Sequence, residues 1–235
     1  MIVFAFANQK GGVGKTTTVI NLGTSVALYK KKTLIIDIDP QANAGSGMNV
    51  VADTNNSIYS ALVLDRDIGS IIKKTEVPNL FFASSTIDLT GAEIELVSLP
   101  EREFRLKKSL RTIQDQFDYI FIDCPPSLGL LTINALAAAD SVLIPLQCEY
   151  YALEGLSQLL KTIKLVKGGL NPNLVLEGIV LTMFDVRNKL SHQVAAEIMQ
   201  HFPTKVFKAI IPRNVRLAEC PSHRKPVFFY DRTSI

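Results

Sequence analysis

The sequence predicts an α/β fold with a doubly wound, mainly parallel β-sheet and helices on both faces. Short apolar runs rich in β-branched residues alternate along the chain with longer segments of helical periodicity, which is the pattern of repeated βαβ units. The strand-like runs are continuously apolar rather than alternating, as expected for a parallel sheet whose two faces are both covered. A glycine-rich loop joins the first of these strands to the first helix.

The elements follow in a regular order. The predicted strands span residues 2–7, 33–38, 80–83, 119–123, 141–146, 175–182 and 206–211. The predicted helices span residues 16–28, 102–117, 152–166 and 191–202, and a further buried helix precedes the strand at 141–146. Ser191 is the expected N-cap of the last helix. The most polar stretch, 49–56, is too short to separate two domains, so residues 1–235 are expected to form a single domain.

The composition of the 235 residues is that of an ordinary packed domain. Hydrophobic residues make up 47% and charged residues 20%, which excludes a disordered or low-complexity chain. The three cysteines and three histidines are scattered without metal-ligand spacing, which argues against a disulfide framework or a zinc site and favours a reducing cytoplasm. No secretory signal and no uninterrupted apolar span is visible, so we expect a cytoplasmic protein that does not enter a membrane.

The strongest motif is the loop at 10–17, which reads Lys-Gly-Gly-Val-Gly-Lys-Thr-Thr and lies between the first strand and the first helix. Backbone N–H groups of small residues can curl around phosphate oxygens, and the N-terminus of the following helix adds positive partial charge. Lys15 can reach the β- and γ-phosphates, and the Thr16 hydroxyl can bind Mg²⁺. The alternative is a glycine-rich turn that binds no ligand, but the order of strand, loop, Lys-Thr pair and helix favours phosphate binding.

The start of this loop differs from the usual pattern G-x-x-x-x-G-K-[ST]. Gln9 stands where the first glycine is expected, and an additional lysine, Lys10, precedes Gly11 and Gly12. A single loop lysine can simply be solvated. Together with the rest of the motif, Lys10 indicates a second cation that acts on phosphate.

Carboxylates lie at the ends of two predicted strands. Asp37 and Asp39 follow the apolar run of the strand at 33–38, and Asp123 ends the strand at 119–123. Because ligands bind at the carboxyl ends of the strands in open α/β sheets, we expect these side chains to face the phosphate loop. Asp123 fits the role of holding a Mg²⁺-bound water, and Asp39 is positioned to orient an attacking water, while Asp37 could support either. The alternative for each is a helix or turn cap.

Four motifs in this order resemble the ParA/Soj family of chromosome- and plasmid-partitioning ATPases, a group of P-loop NTPases in the deviant Walker A class that also contains MinD. These motifs are the loop at 10–17, Asp37-Ile-Asp-Pro-Gln41, Asp123-Cys-Pro-Pro126 and Ile211-Pro-Arg-Asn214. The likeness covers nearly the whole chain and includes Leu181-Thr-Met-Phe-Asp185 and Ala218-Glu-Cys-Pro-Ser222.

The resemblance implies a mechanism that uses ATP and Mg²⁺. It implies an ATP-dependent homodimer that binds double-stranded DNA nonspecifically on the nucleoid, and a ParB/Spo0J-type centromere-binding partner that stimulates slow hydrolysis. The residues implied in catalysis are Lys10, which would reach across the dimer interface, Lys15 and Asp39. The residues implied in nucleotide binding are Lys10, Gly11, Gly12, Val13, Gly14, Lys15, Thr16, Thr17, Pro212 and Asn214. The residues implied in metal binding are Thr16, Asp39 and Asp123.

The chain departs from the family in two places. Members usually continue past the position of Asp231 into a final helix, whereas this chain stops at Ile235, so that either the chain is trimmed or this member is short. Arg224 stands where relatives commonly have glycine, which adds local positive charge.

Three other functions remain open from the residues. A MinD-like membrane-cycling ATPase that regulates division-site placement needs a C-terminal amphipathic helix, for which nothing after Asp231 offers the length. An electron-transfer or cluster-carrier ATPase needs paired cysteines at a subunit interface, and the scattered cysteines argue against it. A metabolic P-loop enzyme would need a further substrate site, and the sequence shows no group of residues that suggests one.

Positive charge is concentrated towards the C-terminal end of the chain. Residues 187–235 contain nine Lys and Arg against three Asp and Glu, so this segment carries +6 although the whole chain carries only +3. It shows no base-reading motif, so any DNA binding would be directed at phosphates, nonspecific and salt-sensitive. The alternative is ordinary solvated surface charge. The resemblance favours DNA binding, with Arg187, Lys189, Arg216 and Arg224 as the candidate contacts.

Overall fold

A computed structural model describes residues 1–50 and 53–234, which form an eight-stranded sheet flanked by helices. The strands are β1 (Ile2–Phe6), β2 (Thr33–Asp37), β3 (Lys73–Lys74), β4 (Leu80–Ala83), β5 (Tyr119–Asp123), β6 (Ser141–Gln147), β7 (Val175–Phe184) and β8 (Val206–Pro212). The α-helices are α1 (Lys15–Leu28), α2 (Asn43–Gly47), α3 (Ile58–Leu62), α4 (Leu89–Glu95), α5 (Arg105–Arg111), α6 (Leu130–Ala138), α7 (Ala152–Gly169), α8 (Lys189–His201), α9 (Val215–Glu219) and α10 (Val227–Tyr230).

The strand order is β3-β4-β2-β5-β1-β6-β7-β8, and every neighbouring pair is parallel except β3 with β4. β1 lies at the centre, between β5 and β6, so the chain winds to one side of β1 and later to the other. A crevice opens at such a reversal, at the carboxyl ends of the strands. The predicted doubly wound, mainly parallel fold is therefore confirmed, and the loop after β1 occupies its ligand-binding edge.

Two apolar layers hold the sheet in place. On one face, β1, β2, β5, β6 and β7 pack against helices from α3 to α8, with fully buried residues such as Ile36, Ile122 and Ile144. On the other face, a smaller cluster that includes Phe6 and Ile35 packs under α1 and α2. All five residues of β2 are buried, which explains why its sequence is continuously apolar up to Asp37.

Several elements differ from the sequence prediction. The predicted helix at 102–117 is shorter, because only Arg105–Arg111 is α-helical and the chain then continues through turns in which Ile113 donates to the carbonyl of Leu110 and Gln116 to that of Ile113. The predicted N-cap of α8 was also wrong. Asn188, not Ser191, caps this helix, since its side chain accepts from the N–H of Leu190 at 3.0 Å.

The hydrophobic pattern also failed to predict several short elements, and it wrongly predicted that the last strand is buried on both faces. The two-residue strand β3 and the helices α2, α3, α4, α9 and α10 are seven residues or shorter, so they contain too few turns for apolar periodicity to indicate them. β8 is an edge strand, and its residues are half-buried or exposed rather than buried on both faces.

The polar stretch predicted at 49–56 is described only in part, because residues 51 and 52, like Ile235, lie outside the described residues. Thr54–Asn56 forms a 3₁₀ turn that begins after Asp53, whose side chain accepts from the N–H of Asn56. Within residues 1–50 and 53–234, no helix is both long and apolar enough to cross a membrane.

Candidate nucleotide-binding site

The loop between β1 and α1 has the backbone shape that its glycines predict. Gly12 and Gly14 adopt φ angles of 72° and 83°, in the left-handed region that other residues rarely enter. α1 begins directly after Gly14, at Lys15, so the free N–H groups of its first turn point into the loop. The sequence therefore builds an N-terminal helix end whose first turn carries Lys15, Thr16 and Thr17.

Neighbouring strands fasten this loop. The hydroxyl of Thr182 in β7 donates to the carbonyl of Val13 at 2.8 Å. Asn8 holds the start of the loop, because its Nδ2 donates to the carbonyl of Pro145 in β6 at 2.8 Å and its Oδ1 accepts from the N–H of Lys10 at 3.0 Å. Neither Asn8 nor Thr182 was predicted as a site residue, since only the order of the strands brings Pro145 to Asn8 and Thr182 to the loop.

The two loop lysines have different environments. Lys15 is buried, and its ammonium group donates to the carbonyl of Lys10 at 3.0 Å. Burial lowers the pKa of Lys15, an effect that the negative charge of Asp123 opposes. Lys10 is partly exposed, and its ammonium group pairs with the carboxylate of Glu149, just after β6. Glu149 was missed in the sequence, although its place after a predicted strand is the same signal that identified Asp123.

Asp123 is the carboxylate best suited to a cation. It lies at the end of β5, beside Phe6 of β1 and Asp37 of β2 in the sheet register. Both carboxylate oxygens are buried and make no well-formed hydrogen bond within the described residues. Burial raises the pKa of Asp123 to about 7, although the Thr16 hydroxyl and the Lys15 ammonium act in the opposite direction. A buried carboxylate that has no well-formed hydrogen bond among the described residues fits a site that is completed by a bound cation.

Asp37 has a structural role beside this site. Its Oδ1 accepts from the N–H of Asp39 at 3.0 Å, and its Oδ2 accepts from the N–H groups of Ala44 and Gly45 at 3.1 and 3.2 Å. Burial and the neighbouring charge of Asp123 raise the pKa of Asp37, while these backbone donors lower it. Asp37 therefore holds the start of α2 and the loop that carries Asp39, which corresponds to the cap considered as an alternative.

Asp39 is buried close to Lys15 and Asp123, and its negative charge therefore raises the pKa values of both groups. Its Oδ1 accepts from the N–H of Gln41 at 3.0 Å. Within residues 1–50 and 53–234, no group of three or more His, Cys, Asp or Glu side chains could hold a metal ion by itself. Thr16, Asp39 and Asp123 fit Mg²⁺ all the same, because this ion usually combines one or two carboxylates with phosphate and water ligands.

Pro212 and Asn214 lie at the same edge of the sheet. Pro212 ends β8 and pairs with Phe184 of β7, two residues after the loop anchor Thr182. Asn214 caps α9, since its Oδ1 accepts from the N–H of Arg216 at 2.7 Å, and its Nδ2 donates to the hydroxyl of Ser234 at 3.0 Å. The expected contact of these two residues with the adenine stays a prediction.

The four basic residues predicted to contact DNA are exposed, but three of them have partners in the chain. The guanidinium of Arg187 makes two hydrogen bonds to Asp185, at 3.0 and 2.9 Å, and these lower the pKa of Asp185 to about 2. Arg216 pairs with Glu219 and Asp231 at 3.0 and 3.3 Å. Glu219 and Asp231 are already counted in the +6 charge of residues 187–235, whereas Asp185 lies outside this segment and offsets one further positive charge.

Arg224 combines an unusual backbone with a distant contact. Its φ of 55° lies in the left-handed region, which glycine enters far more readily than arginine does. Its guanidinium donates to Oδ1 of Asn49 at 2.9 Å, and Asn49 follows α2 with a φ of 57°. Arg224 thus joins the basic C-terminal segment to the segment that carries Asp39.

We expect Arg224→Gly to weaken nonspecific DNA binding without unfolding the protein. Glycine relieves a left-handed backbone that costs other residues about 1 kcal/mol, which offsets the loss of one hydrogen bond of about 1 kcal/mol. If Arg224 contacts a phosphate, the slope of log affinity against log salt falls by about one. Salt titrations of DNA binding measure this slope.

Lys30→Gly is the matched control for this variant. Lys30 is an exposed lysine with a φ of 62° outside the basic segment, so its replacement also relieves a left-handed backbone and removes one charge. An equal loss of affinity in both variants, or no loss in Arg224→Gly, would contradict the assignment of Arg224. Charge reversal at Arg187 or Arg216 is less informative, because it also breaks their pairs with Asp185, Glu219 and Asp231.

The chain is similar in sequence to known proteins over almost its full length. A family model described as an AAA domain matches residues 1–176. The chromosome partitioning protein ParA of Myxococcus xanthus is 59% identical over 230 residues, which cover 97% of this chain and 81% of that protein. The sporulation initiation inhibitor protein Soj of Bacillus subtilis is 57% identical over 233 residues, which cover 99% and 92%.

A solved structure supports the same fold. Cobyrinic acid a,c-diamide synthase from Mycobacterium smegmatis, with bound ADP and magnesium, is 34% identical with a TM-score of 0.86, over 99% of this chain and 96% of that chain. The matched regions therefore span the parts of this chain that contain the phosphate loop, the carboxylates at the strand ends and the basic C-terminal segment.

Proposed function

Because the chain belongs to the ParA/Soj family of chromosome-partitioning ATPases, we propose that it uses ATP binding and hydrolysis to segregate DNA. The observation that carries the proposal is Lys10, which is a second lysine in a phosphate loop whose Lys15 and Thr16 lie next to Asp123 of β5. Relatives named as chromosome-partitioning proteins match at 59% and 52% identity and the synthase at 34%, so similarity favours partitioning over a metabolic reaction.

The ligand of the loop is ATP with Mg²⁺. The N–H groups of residues 11–17 surround the phosphates, and Lys15 exchanges its hydrogen bond with the Lys10 carbonyl for one with a phosphate oxygen. Thr16, Asp39 and Asp123 hold the metal. Bound Mg²⁺ would neutralise phosphate charge as it develops. Ionised Asp123 supplies the charge that this cation requires, at pH values above its raised pKa of about 7.

Hydrolysis depends on a water held in line with the γ-phosphate. Asp39 is the residue that orients this water, and Asp37 keeps Asp39 in place through the backbone N–H. The side chain of Lys10 releases Glu149 and contacts the nucleotide of a second copy of the chain. A γ-phosphate that both subunits contact therefore favours the dimer. Pro212 and Asn214 border the adenine.

The ATP dimer binds double-stranded DNA through its basic C-terminal segment without sequence preference. Doubling the segment in the dimer doubles the number of cations that face phosphates, and binding is therefore stronger for the dimer than for the monomer. A centromere-binding protein of the ParB/Spo0J type stimulates hydrolysis, which separates the subunits and releases the DNA. The protein acts in the cytoplasm, on the nucleoid.

Asp39→Ala is the variant that tests this proposal. We expect hydrolysis to slow by at least about a hundredfold, because positioned groups of this kind contribute that much, while ATP still supports the dimer. Asp37 still accepts from the N–H groups of Ala44 and Gly45 in this variant, so the loop loses only the bond that the N–H of Gln41 donates to Asp39. Size-exclusion chromatography with ATP, ADP or no nucleotide, followed by addition of nonspecific DNA, measures the outcome.

Asp115→Ala is the control, because Asp115 is an exposed carboxylate in the turns after α5. Rapid turnover in Asp39→Ala would assign the water to another group. A monomer under all nucleotide conditions, or a dimer that binds anionic liposomes but not DNA, would contradict the partitioning function.

A further inference from the structure

An ion pair connects the phosphate loop to the start of α7. Lys10 carries the second cation of the loop, and its ammonium group contacts the carboxylate of Glu149, which is 139 residues away in the chain. Their side chains are 39% and 42% exposed, so the pair lies at the mouth of the site and not in the core.

The backbone on both sides fixes this pair. Asn8 is buried, and it bonds to the N–H of Lys10 and to the carbonyl of Pro145 in β6, so one side chain sets the distance between the loop and the strand. On the other side, the N–H of Glu149 donates to the carbonyl of Gln147, and its own carbonyl accepts from the N–H of Ala152 at the start of α7. The two charged side chains therefore extend from anchored positions.

The two loop lysines therefore differ in the partner that each must give up before it can bind a phosphate. Lys15 needs to give up only a neutral carbonyl acceptor, so any nucleotide phosphate can attract it. Lys10 has to give up a carboxylate. ATP carries one more negative charge than ADP, so it competes with Glu149 for Lys10 more strongly.

We propose that Glu149 is a positioning residue that holds Lys10 on its own subunit and thereby raises the threshold for dimer formation, so that ATP, which attracts Lys10 more strongly than ADP does, supports the dimer at concentrations at which ADP does not. This inference rests on the proposed function, in which Lys10 contacts the nucleotide of a second copy. Removal of the carboxylate frees Lys10 and lowers the threshold for pairing, with or without the γ-phosphate. The effect is about two- to fivefold, the size measured for partly exposed ion pairs, and it diminishes at high salt.

Glu149→Gln tests the inference, because it removes the charge and keeps the shape. We expect the amine of Lys10 to react about two- to fivefold faster with acetic anhydride, as read by mass spectrometry of the nucleotide-free protein. We also expect the ATP concentration at half-maximal dimerisation to fall by the same factor and ADP to support more dimer. The shift in dimerisation should vanish in a Lys10→Ala background. Glu154→Gln, an exposed carboxylate in the first turn of α7, is the matched control.

Each other result overturns a specific part of the inference. Unchanged labelling of Lys10 in Glu149→Gln would show that Glu149 does not hold Lys10. A higher ATP requirement, or a shift in dimerisation that persists without Lys10, would show that Glu149 acts directly on nucleotide or on the second copy. A wild-type protein that stays monomeric with ATP would overturn the proposed function, and the selectivity role with it, even if labelling increased.

Discussion

Lys15→Ala is expected to reduce ATP affinity by at least about a hundredfold, roughly 3 kcal/mol, which is the cost of removing one partner from a buried charge pair. Lys15 is the buried cation of the loop and starts α1, so its ammonium group is already directed at the phosphate position. Lys10 cannot replace it, because Lys10 is held by Glu149 at the mouth of the site. Titration calorimetry with ATP and Mg²⁺ measures the loss.

The variant should nevertheless fold. Burial lowers the pKa of Lys15, so its charge opposes folding at neutral pH, and its removal should not lower the melting temperature of the nucleotide-free protein. Lys31→Ala, which removes an exposed lysine three residues after the C-terminal end of α1, is the control. ATP affinity near that of the wild type in folded Lys15→Ala protein would refute the assignment of the phosphate loop.

Asp123→Asn should raise the stability of the nucleotide-free protein and reduce the further stabilisation that ATP and Mg²⁺ provide. Because the pKa of Asp123 is about 7 in the folded protein and about 4 when unfolded, the wild type takes up a proton on folding between these values. Its free energy of unfolding therefore falls as the pH rises from about 4 to about 7. Asparagine does not titrate, so at pH 8 the nucleotide-free variant should be more stable by up to about 4 kcal/mol. Thermal melts should show about 2–4 °C per kcal/mol.

The bound protein should show the reverse. A ligand at about a hundred times its dissociation constant stabilises a fold by about 2.7 kcal/mol, and Asp123→Asn should lose the magnesium-dependent part of that gain. Melts at pH 4, 6 and 8, each with and without ATP and Mg²⁺, separate the two effects. Equal melting temperatures of variant and wild type at pH 8 would contradict a buried, unpaired carboxylate at Asp123.

Asp37→Asn is the informative comparison for Asp123→Asn. The pKa of Asp37 is also raised, but its two oxygens accept three backbone N–H groups. An asparagine would turn an amide donor towards at least one of these donors, and this loss opposes the gain from removing a buried charge, so at pH 8 this variant should gain less stability than Asp123→Asn. The two neighbouring carboxylates thus differ in their hydrogen bonds, although both end buried strands.

Much of the site was predictable because its signals are local. The sequence Gly-Gly-Val-Gly-Lys-Thr after β1 predicts both the left-handed glycines and the start of α1. The apolar runs that end at Asp37 and Asp123 predict that these carboxylates lie at the edge of the sheet. The helices that were missed have seven residues or fewer, so packing rather than periodicity decides whether they form.

Contacts between distant segments were not predictable in the same way. The pairing of Arg224 with Asn49 joins residues 175 positions apart, and the bond from Thr182 to Val13 joins residues 169 apart. The first requires knowledge of how the segment after α2 packs against the segment after α9, and the second of which strands are neighbours. The charge of the basic segment could be counted in the sequence, whereas the carboxylate partners of Arg216 became evident only in the fold.

By itself, the sequence determined the fold class, the phosphate loop, the strand-end carboxylates and the +6 charge of residues 187–235, because each depends on neighbours in the chain. The tertiary structure decided which of these groups have hydrogen-bond or ion-pair partners within the chain. It left Asp123 without hydrogen-bond partners among the described residues, gave Asp37 three, and brought Glu149 to Lys10. The physical reason is the central position of β1 between β5 and β6, which brings residues far apart in the sequence to one crevice.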